Sequence, residues 1–159
     1  MKITILCVGK VKEKFYRDGI EEFVKRLSRY CKLEIIEVAD EKTDENASET
    51  EIRLVKEKEG EKLLKNIKDD AYVITLCIDG KQLDSEELSE KIEKLGVQGT
   101  SHIYFVIGGS LGLADEVVKR AHLKLSFSPM TFPPQLMRLI LLEQIYRSYR
   151  IMNHEPYHK

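Results

Sequence analysis

Apolar residues along the chain fall into short continuous runs separated by stretches with helical spacing. Ile3 to Val8 is rich in β-branched residues and ends at Gly9, which predicts a buried strand. From Lys14 to Tyr30, apolar side chains recur at Tyr16, Ile20, Phe23, Val24, Leu27 and Tyr30. Lys25, Arg26 and Arg29 lie mostly off that face, so an amphipathic helix is expected. Leu33 to Val38 predicts a second strand and Glu41 to Asn46 a polar linker. A long, highly charged helix from about Ser48 to Ile67 contains Gly60, either a helix weakness or a point of close packing. Tyr72 to Ile78 reads as the third strand, after which Asp79-Gly80-Lys81 turns the chain. Asp84 or Ser85 caps a helix that aligns Leu88, Ile92 and Leu95 and ends at Gly96 to Gly99. Ile103 to Ile107 is continuously apolar, as a strand covered on both faces should be.

Strands alternating with helices through short links predict an α/β fold, a mainly parallel sheet flanked by helices. No repeat, low-complexity tract or linker divides the chain, so residues 1–159 are expected to form a single domain. The last helix, about Gln135 to Asn153, is unusual. Its apolar side chains from Leu136 to Met152 cover most of the circumference, leaving a narrow polar sector around Glu143, Arg147 and Arg150. Such a helix must be buried on more than one side. In so small a domain, a second copy across a two-fold axis is the expected partner, with burial wholly within one chain as the alternative.

Composition changes this picture little. Apolar residues at 42% and charged residues at 33% are ordinary for a globular domain. No apolar run approaches the roughly 18 residues of a membrane span, and the N-terminal run is too short for a signal peptide, so a cytoplasmic location is expected. Cys7, Cys31 and Cys77 have neither CxxC spacing nor an even count, and His102, His122, His154 and His158 lack metal-ligand spacing, so no metal is implied. The net charge of -1 hides a partition along the chain. Residues 1–32 carry nine Lys/Arg against four Asp/Glu, while residues 33–62 carry five against eleven. The stretch from Arg138 onward is again basic. A fold that joins the two basic ends would form a phosphate-facing surface; a merely solvated helix face is the plainer alternative.

Candidate chemistry gathers in the last third. Gly108-Gly109-Ser110-Leu111-Gly112 follows the fourth strand, at the carboxyl edge where parallel sheets bind ligands. Glycines there permit positive φ and close approach of a ligand to the backbone. Neither GxGxxG nor GxxxxGK[ST] is present, so no phosphate fingerprint supports a nucleotide triphosphate or dinucleotide. Ser128, Phe132 and Pro133 each precede a proline and are pushed to extended backbone, which makes Phe127 to Pro133 a stiff loop with unpaired donors and acceptors. Pro134 suits the first helical position, whereas Pro133 offers no side-chain cap. A loop of this kind can read the edge of an adenine. The tail Asn153 to Lys159 carries proton-transfer side chains, although a chain end usually frays.

The residues Cys77-Ile78-Asp79-Gly80-Lys81, Ile107 to Leu113, Leu125 to Pro133, Glu143-Gln144-Ile145-Tyr146-Arg147 and Pro156-Tyr157-His158-Lys159 together resemble the RlmH family of SPOUT methyltransferases. The resemblance spans the whole chain. It implies a C-terminal trefoil knot, which spacing alone could not give because folds avoid knots. It further implies an obligate homodimer that binds S-adenosylmethionine in the knot and methylates N3 of a pseudouridine in the helix 69 loop of 23S ribosomal RNA. Carried onto this chain, Leu76, Gly108 and the loop Phe127, Ser128, Pro129, Met130, Thr131 and Phe132 would hold the cofactor. One position departs from the pattern: the family commonly has His after the Phe-Pro pair, and this chain has Pro134.

N3 of a uracil-type ring carries a proton and is a poor nucleophile until it is lost. His158 is the expected acceptor, because imidazole titrates near neutrality. Tyr157 is expected to stack on or hydrogen-bond the base, and Arg147 and Lys159 to neutralise phosphate or the charge developing on the ring. With few surplus positive charges, the assembled ribosome is the expected partner rather than bare RNA. Two alternatives stand beside this one: a non-catalytic ribosome- or RNA-binding module of the same fold, and a nucleotide-dependent enzyme using the Gly108 loop for phosphate.

Overall fold

The computed structural model describes residues 1–159. Its elements, in chain order, are β1 (Lys2–Val8), α1 (Lys14–Leu27), β2 (Lys32–Val38), α2 (Glu49–Lys65) and β3 (Tyr72–Gln82). They continue with α3 (Ser85–Val97), β4 (His102–Ile107), α4 (Asp115–Arg120), β5 (Leu123–Ser126) and α5 (Pro134–Met152). The five strands form one sheet in the order β2-β1-β4-β3-β5, and every pair is parallel. All strand ends that carry loops into helices therefore share one edge.

Strand alternation sorts the core into two layers. Ile3, Ile5 and Cys7 of β1 and Ile103, Phe105 and Ile107 of β4 face α1, α3 and α5. Leu6, Val8, Tyr104 and Val106 face α2 and α4. The continuous apolar run of β4 thus has the predicted cause, burial on both faces. Gly60 resolves as close packing: a Cβ there would lie 3.1 Å from Val117 and 3.2 Å from Ala114, so α2 and α4 touch through it. Asp84 caps α3 in a reciprocal capping box with Glu87. Burial pushes the thiols of Cys7 and Cys31 up to about 11, as for inert structural cysteines. No helix is long and apolar enough to cross a membrane.

Three expectations need correction. Asp79-Gly80-Lys81 is not a turn after the third strand. β3 runs on to Gln82, and its pairing with β5 jumps from Leu76–Leu125 to Lys81–Leu125, so Cys77 to Gly80 bulge out of the ladder. A Cβ on Gly80 would sit 2.8 Å from the backbone of Lys124, which is why glycine stands there. Residues 115–126, left without elements by the sequence pattern, hold α4 and β5. Six and four residues respectively, they are too short to show a period. Finally, α1 stops at Leu27 and a turn carries the chain through Tyr30.

Helix α5 packs between α1 and α3 against the sheet, burying Leu141, Leu142, Ile145 and Tyr149. Much of its apolar circumference is therefore covered within one chain. Leu136, Ile140, Arg147 and Ile151, at spacings of four and seven residues, remain a half-exposed stripe. Arg138 is the largest fully buried side chain, 1% exposed. Its guanidinium donates to the carbonyls of Val8 and Gly9 at 2.8 and 2.7 Å and to Glu37 at 2.7 Å, tying α5 to the end of β1. Methionine would fill the aliphatic volume but strand these acceptors. Arg138→Met should therefore cost about 2–4 kcal/mol, read as a lower urea midpoint with unchanged slope. A loss below about 0.5 kcal/mol would show that water replaces the guanidinium without penalty.

Candidate active site

The carboxyl edge of the sheet opens into a cleft of about 1000 Å³ between the ends of β3, β4 and β5. Leu76, Ile107, Leu125 and Met137 supply its apolar walls, and Lys124 of β5 pairs at 3.4 Å with Asp79 of the neighbouring β3, both lining it. Of the residues expected to hold a cofactor, Leu76, Gly108, Phe127, Ser128, Met130, Thr131 and Phe132 all line this one cleft. Pro129 is exposed and does not line it. Cys77, Ile78 and Asp79 also line it, through the bulge that no sequence signal announced, and so do Leu113 and Val118, brought in by α4. Burial raises the Cys77 thiol pKa, which disfavours the thiolate there.

The stiff loop behaves as its prolines require. Pro133 occupies the N-cap without a side-chain bond and Pro134 begins α5. Ser128 Oγ accepts from Met130 N–H at 2.9 Å, and Ser126 donates to the Ser128 carbonyl. The backbone N–H groups of Thr131 and Phe132 bond to no other backbone group and to no side chain. They are the free donors expected of a surface that reads a heteroaromatic edge. Pro134 itself lines the cleft and offers only carbon there.

The glycines act differently from expectation. Gly108 and Gly109 are not at positive φ; in this loop only Gly112 is, at 90°. A Cβ on Gly108 would lie 2.8 Å from the backbone of Gly112, so the loop's own chain fills that space rather than a ligand. A Cβ on Gly109 would meet Glu59 and Val8, each at 3.3 Å. Glu59 is buried behind the loop, accepts from Glu41 N–H at 3.0 Å, and has its carboxyl pKa raised by that burial. No group of three or more His, Cys, Asp or Glu is arranged to hold a metal ion.

The tail is tied down rather than frayed. After α5 the chain reverses at His154, φ 54°, with Glu155 N–H bonded to Arg150 O and His154 N–H to Ile151 O. Glu155 accepts from Tyr30 at 2.7 Å and from Arg150 at 2.8 Å, while Arg150 also holds the Pro156 carbonyl. Tyr157 donates to Glu143 at 2.8 Å and packs edge-on to Tyr146, with Arg147 over its ring at 4.7 Å. Burial and the Glu143 bond raise the Tyr157 pKa, so the phenol stays protonated. Arg147 grips Glu143 at 2.6 Å and lies 3.2 Å from His158 Nδ1. A guanidinium only donates, so Nδ1 is the acceptor and the ring is in its Nε2–H form. Lys159 is exposed beside them.

None of Arg147, Tyr157, His158 and Lys159 lines the cleft of its own chain. Along α5, Arg147 is ten residues beyond Met137, about 15 Å at 1.5 Å per residue. The structure thus brings the expected cofactor residues other than Pro129 together and the expected catalytic residues together, but in two separate places.

Comparison with known proteins fits this architecture. Residues 1–158 match a family described as Predicted SPOUT methyltransferase, which gives the class of the fold and cleft. A relative from Bifidobacterium adolescentis, named Ribosomal RNA large subunit methyltransferase H, is 64% identical over 159 residues, covering 100% of both chains. One of the same name from Clostridioides difficile is 62% identical over the same span. The solved structure of a probable methylase family protein from Haemophilus influenzae Rd KW20 aligns with a TM-score of 0.54 and 13% identity. It covers 99% of this chain and 70% of that one, a likeness of fold alone. The chain belongs to the ribosomal RNA large subunit methyltransferase H family of SPOUT methyltransferases. Membership implies the C-terminal trefoil knot.

Proposed function

We propose that this protein is an S-adenosylmethionine-dependent methyltransferase acting on N3 of a pseudouridine in the helix 69 loop of 23S ribosomal RNA, as a cytoplasmic homodimer. The observation that carries the reading is the convergence of Leu76, Gly108 and, Pro129 excepted, the Phe127–Phe132 loop on one cleft with free backbone donors at Thr131 and Phe132. That donor set fits an adenine edge, and a cleft whose two lysines, Lys56 and Lys124, are matched in number by Asp79 and Asp115 fits a nucleoside without phosphates. Bound there, S-adenosylmethionine would supply a methyl group on a positively charged sulfur.

The residues around it divide the remaining work. Leu76 and Met137 exclude water, and Thr131 and Phe132 orient the cofactor through the backbone. Methylation replaces the N3 proton, so an acceptor is needed. His158 takes that proton at Nδ1 once Arg147 leaves the ring for phosphate or for the charge on the base. Tyr157, held protonated against Glu143, stacks on the target base or turns its one O–H from Glu143 to donate to it, and Lys159 adds positive charge. Because the tail lies outside its own cleft, the half-exposed stripe Leu136, Ile140, Arg147 and Ile151 meets a second copy, whose tail completes the site.

Mass mapping of 23S ribosomal RNA from cells with and without the gene tests this directly. The expected difference is one methyl on one pseudouridine of the helix 69 loop. An unchanged methyl pattern would sink the reading, and methylation of naked 23S RNA as fast as of ribosomes would remove the assembled ribosome as substrate.

A further inference from the structure

On the same edge of the sheet as the cleft, the chain from Lys10 to Arg17 presents chemistry that neither the fold nor the proposed methyl transfer uses. Phe15 is 66% exposed and is the one aromatic among the large exposed apolar side chains. It leans on Tyr16 at 4.3 Å instead of entering the core. Lys10 and Lys12 flank Val11, which packs inward, so both lysines project outward. Lys14 pairs with Asp18, but Lys10, Lys12 and Arg17 have no acidic partner. After the acidic N-cap Glu13, the first turn of α1 contains no acid and two cations, Lys14 and Arg17, which the helix dipole disfavours.

Three consecutive residues of α5 hold this segment beside the cleft. Met137 lines the cleft, Arg138 bonds the carbonyls of Val8 and Gly9, and Leu139 packs on Gly19 of α1. Beside Gly9, where a Cβ would lie 4.0 Å from Asp40, a separate depression bordering Ser110 is acidic, with Asp40, Glu41, Asp44 and Glu51 against one cation, Lys42. A polyanion is thus repelled by the loop after β2 and attracted by the neighbouring Lys10–Arg17 segment, which confines its approach to the α1 side of that boundary.

We propose that Lys10–Arg17 is a docking surface for the RNA substrate: Phe15 stacks on an unpaired base near the target, and Lys10, Lys12 and Arg17 meet the flanking phosphates. Exposed aromatic rings among cations are the chemistry of single-stranded nucleic-acid recognition, whereas protein interface cores are depleted in lysine. The inference rests on the RNA reading above and adds to it how the substrate is positioned.

Large ribosomal subunits provide the probe, with binding read separately from turnover on the full-length protein. Phe15→Ala should weaken binding and raise KM about tenfold, within the range for one base–aromatic stack, while kcat changes less than about twofold. Cofactor affinity by calorimetry and dimer mass by light scattering should not move, and Phe15→Trp should restore binding. Lys10→Gln with Lys12→Gln should flatten the slope of log affinity against log salt by about 1 to 2, at roughly 0.7 per phosphate contact. Unchanged binding in both variants overturns the proposal, as does a Phe15→Ala protein that becomes monomeric, which would make the patch a contact between copies. Wild-type protein that binds subunits without methylating them refutes the proposed reaction alone, and the Phe15 comparison still decides the docking surface. Wild-type protein that binds no subunits refutes both.

Discussion

Removal of Tyr157, His158 and Lys159 is expected to lower methyl transfer by about 10²–10⁴-fold while leaving S-adenosylmethionine binding within about twofold. The physical basis is the separation of the two clusters. The cofactor residues line a cleft that no tail residue enters, so truncation removes the proton acceptor and the base-contacting phenol without touching the cleft wall. Stability should also survive, because the anchors nearest the helix, Glu155 to Tyr30 and Arg150 and Arg150 to Pro156, remain in the truncated chain. The same separation gives a sharper test of who completes which site. Tail-truncated protein mixed and re-equilibrated with a variant whose cleft is disabled forms mixed dimers. If each tail serves the partner's cleft, a mixed dimer of this kind places the disabled cleft with the missing tail and leaves one intact pair. About a quarter of all sites then regain full composition at equal mixing. Full activity of the truncated protein alone would remove the tail from the chemistry. A mixture as inactive as its components would count against a shared site.

Much of the architecture is legible in the sequence because burial on both faces of a parallel sheet writes continuous apolar runs. β1 and β4 are read within a residue for that reason. The stiff loop is legible too, since each of Pro129, Pro133 and Pro134 restricts the residue before it whatever the surroundings. What escapes is long-range. The bulge at Cys77–Gly80 arises from the register between β3 and β5, and no local pattern encodes a register jump. α4 is under two turns, and its contribution to the cleft depends on Gly60 letting α2 approach it. The tail reads as a frayed end because its restraints, Tyr30 and Glu143 above all, come from elements far away or on the neighbouring helix face. Buried Arg138 reads as an ordinary surface cation until the fold places it beneath the carbonyls of Val8 and Gly9.

Gly108→Ala is expected to abolish usable cofactor affinity, with binding weaker by about 10²-fold or more. The added methyl would lie 2.8 Å from the carbonyl carbon and oxygen of Gly112, and backbone cannot give way as a flexible side chain can. The Gly109–Gly112 turn, closed by Gly112 N–H to Gly109 O at 3.1 Å, must therefore open or swing, and with it the wall that faces Phe127–Phe132. Overpacking of this kind costs about 1–3 kcal/mol, here concentrated in the loop that forms the cleft rather than in the core. Gly112→Ala is the informative contrast. Open space surrounds a Cβ there, but φ is 90°, so the cost is backbone strain and the loop keeps its path if the strain is borne. Calorimetry with S-adenosylmethionine should then rank wild type above Gly112→Ala and Gly112→Ala above Gly108→Ala, while the melting temperatures fall much less than the affinities. Wild-type affinity in Gly108→Ala would mean that the turn adapts freely, and the cleft wall at the end of β4 would lose its claim on the cofactor.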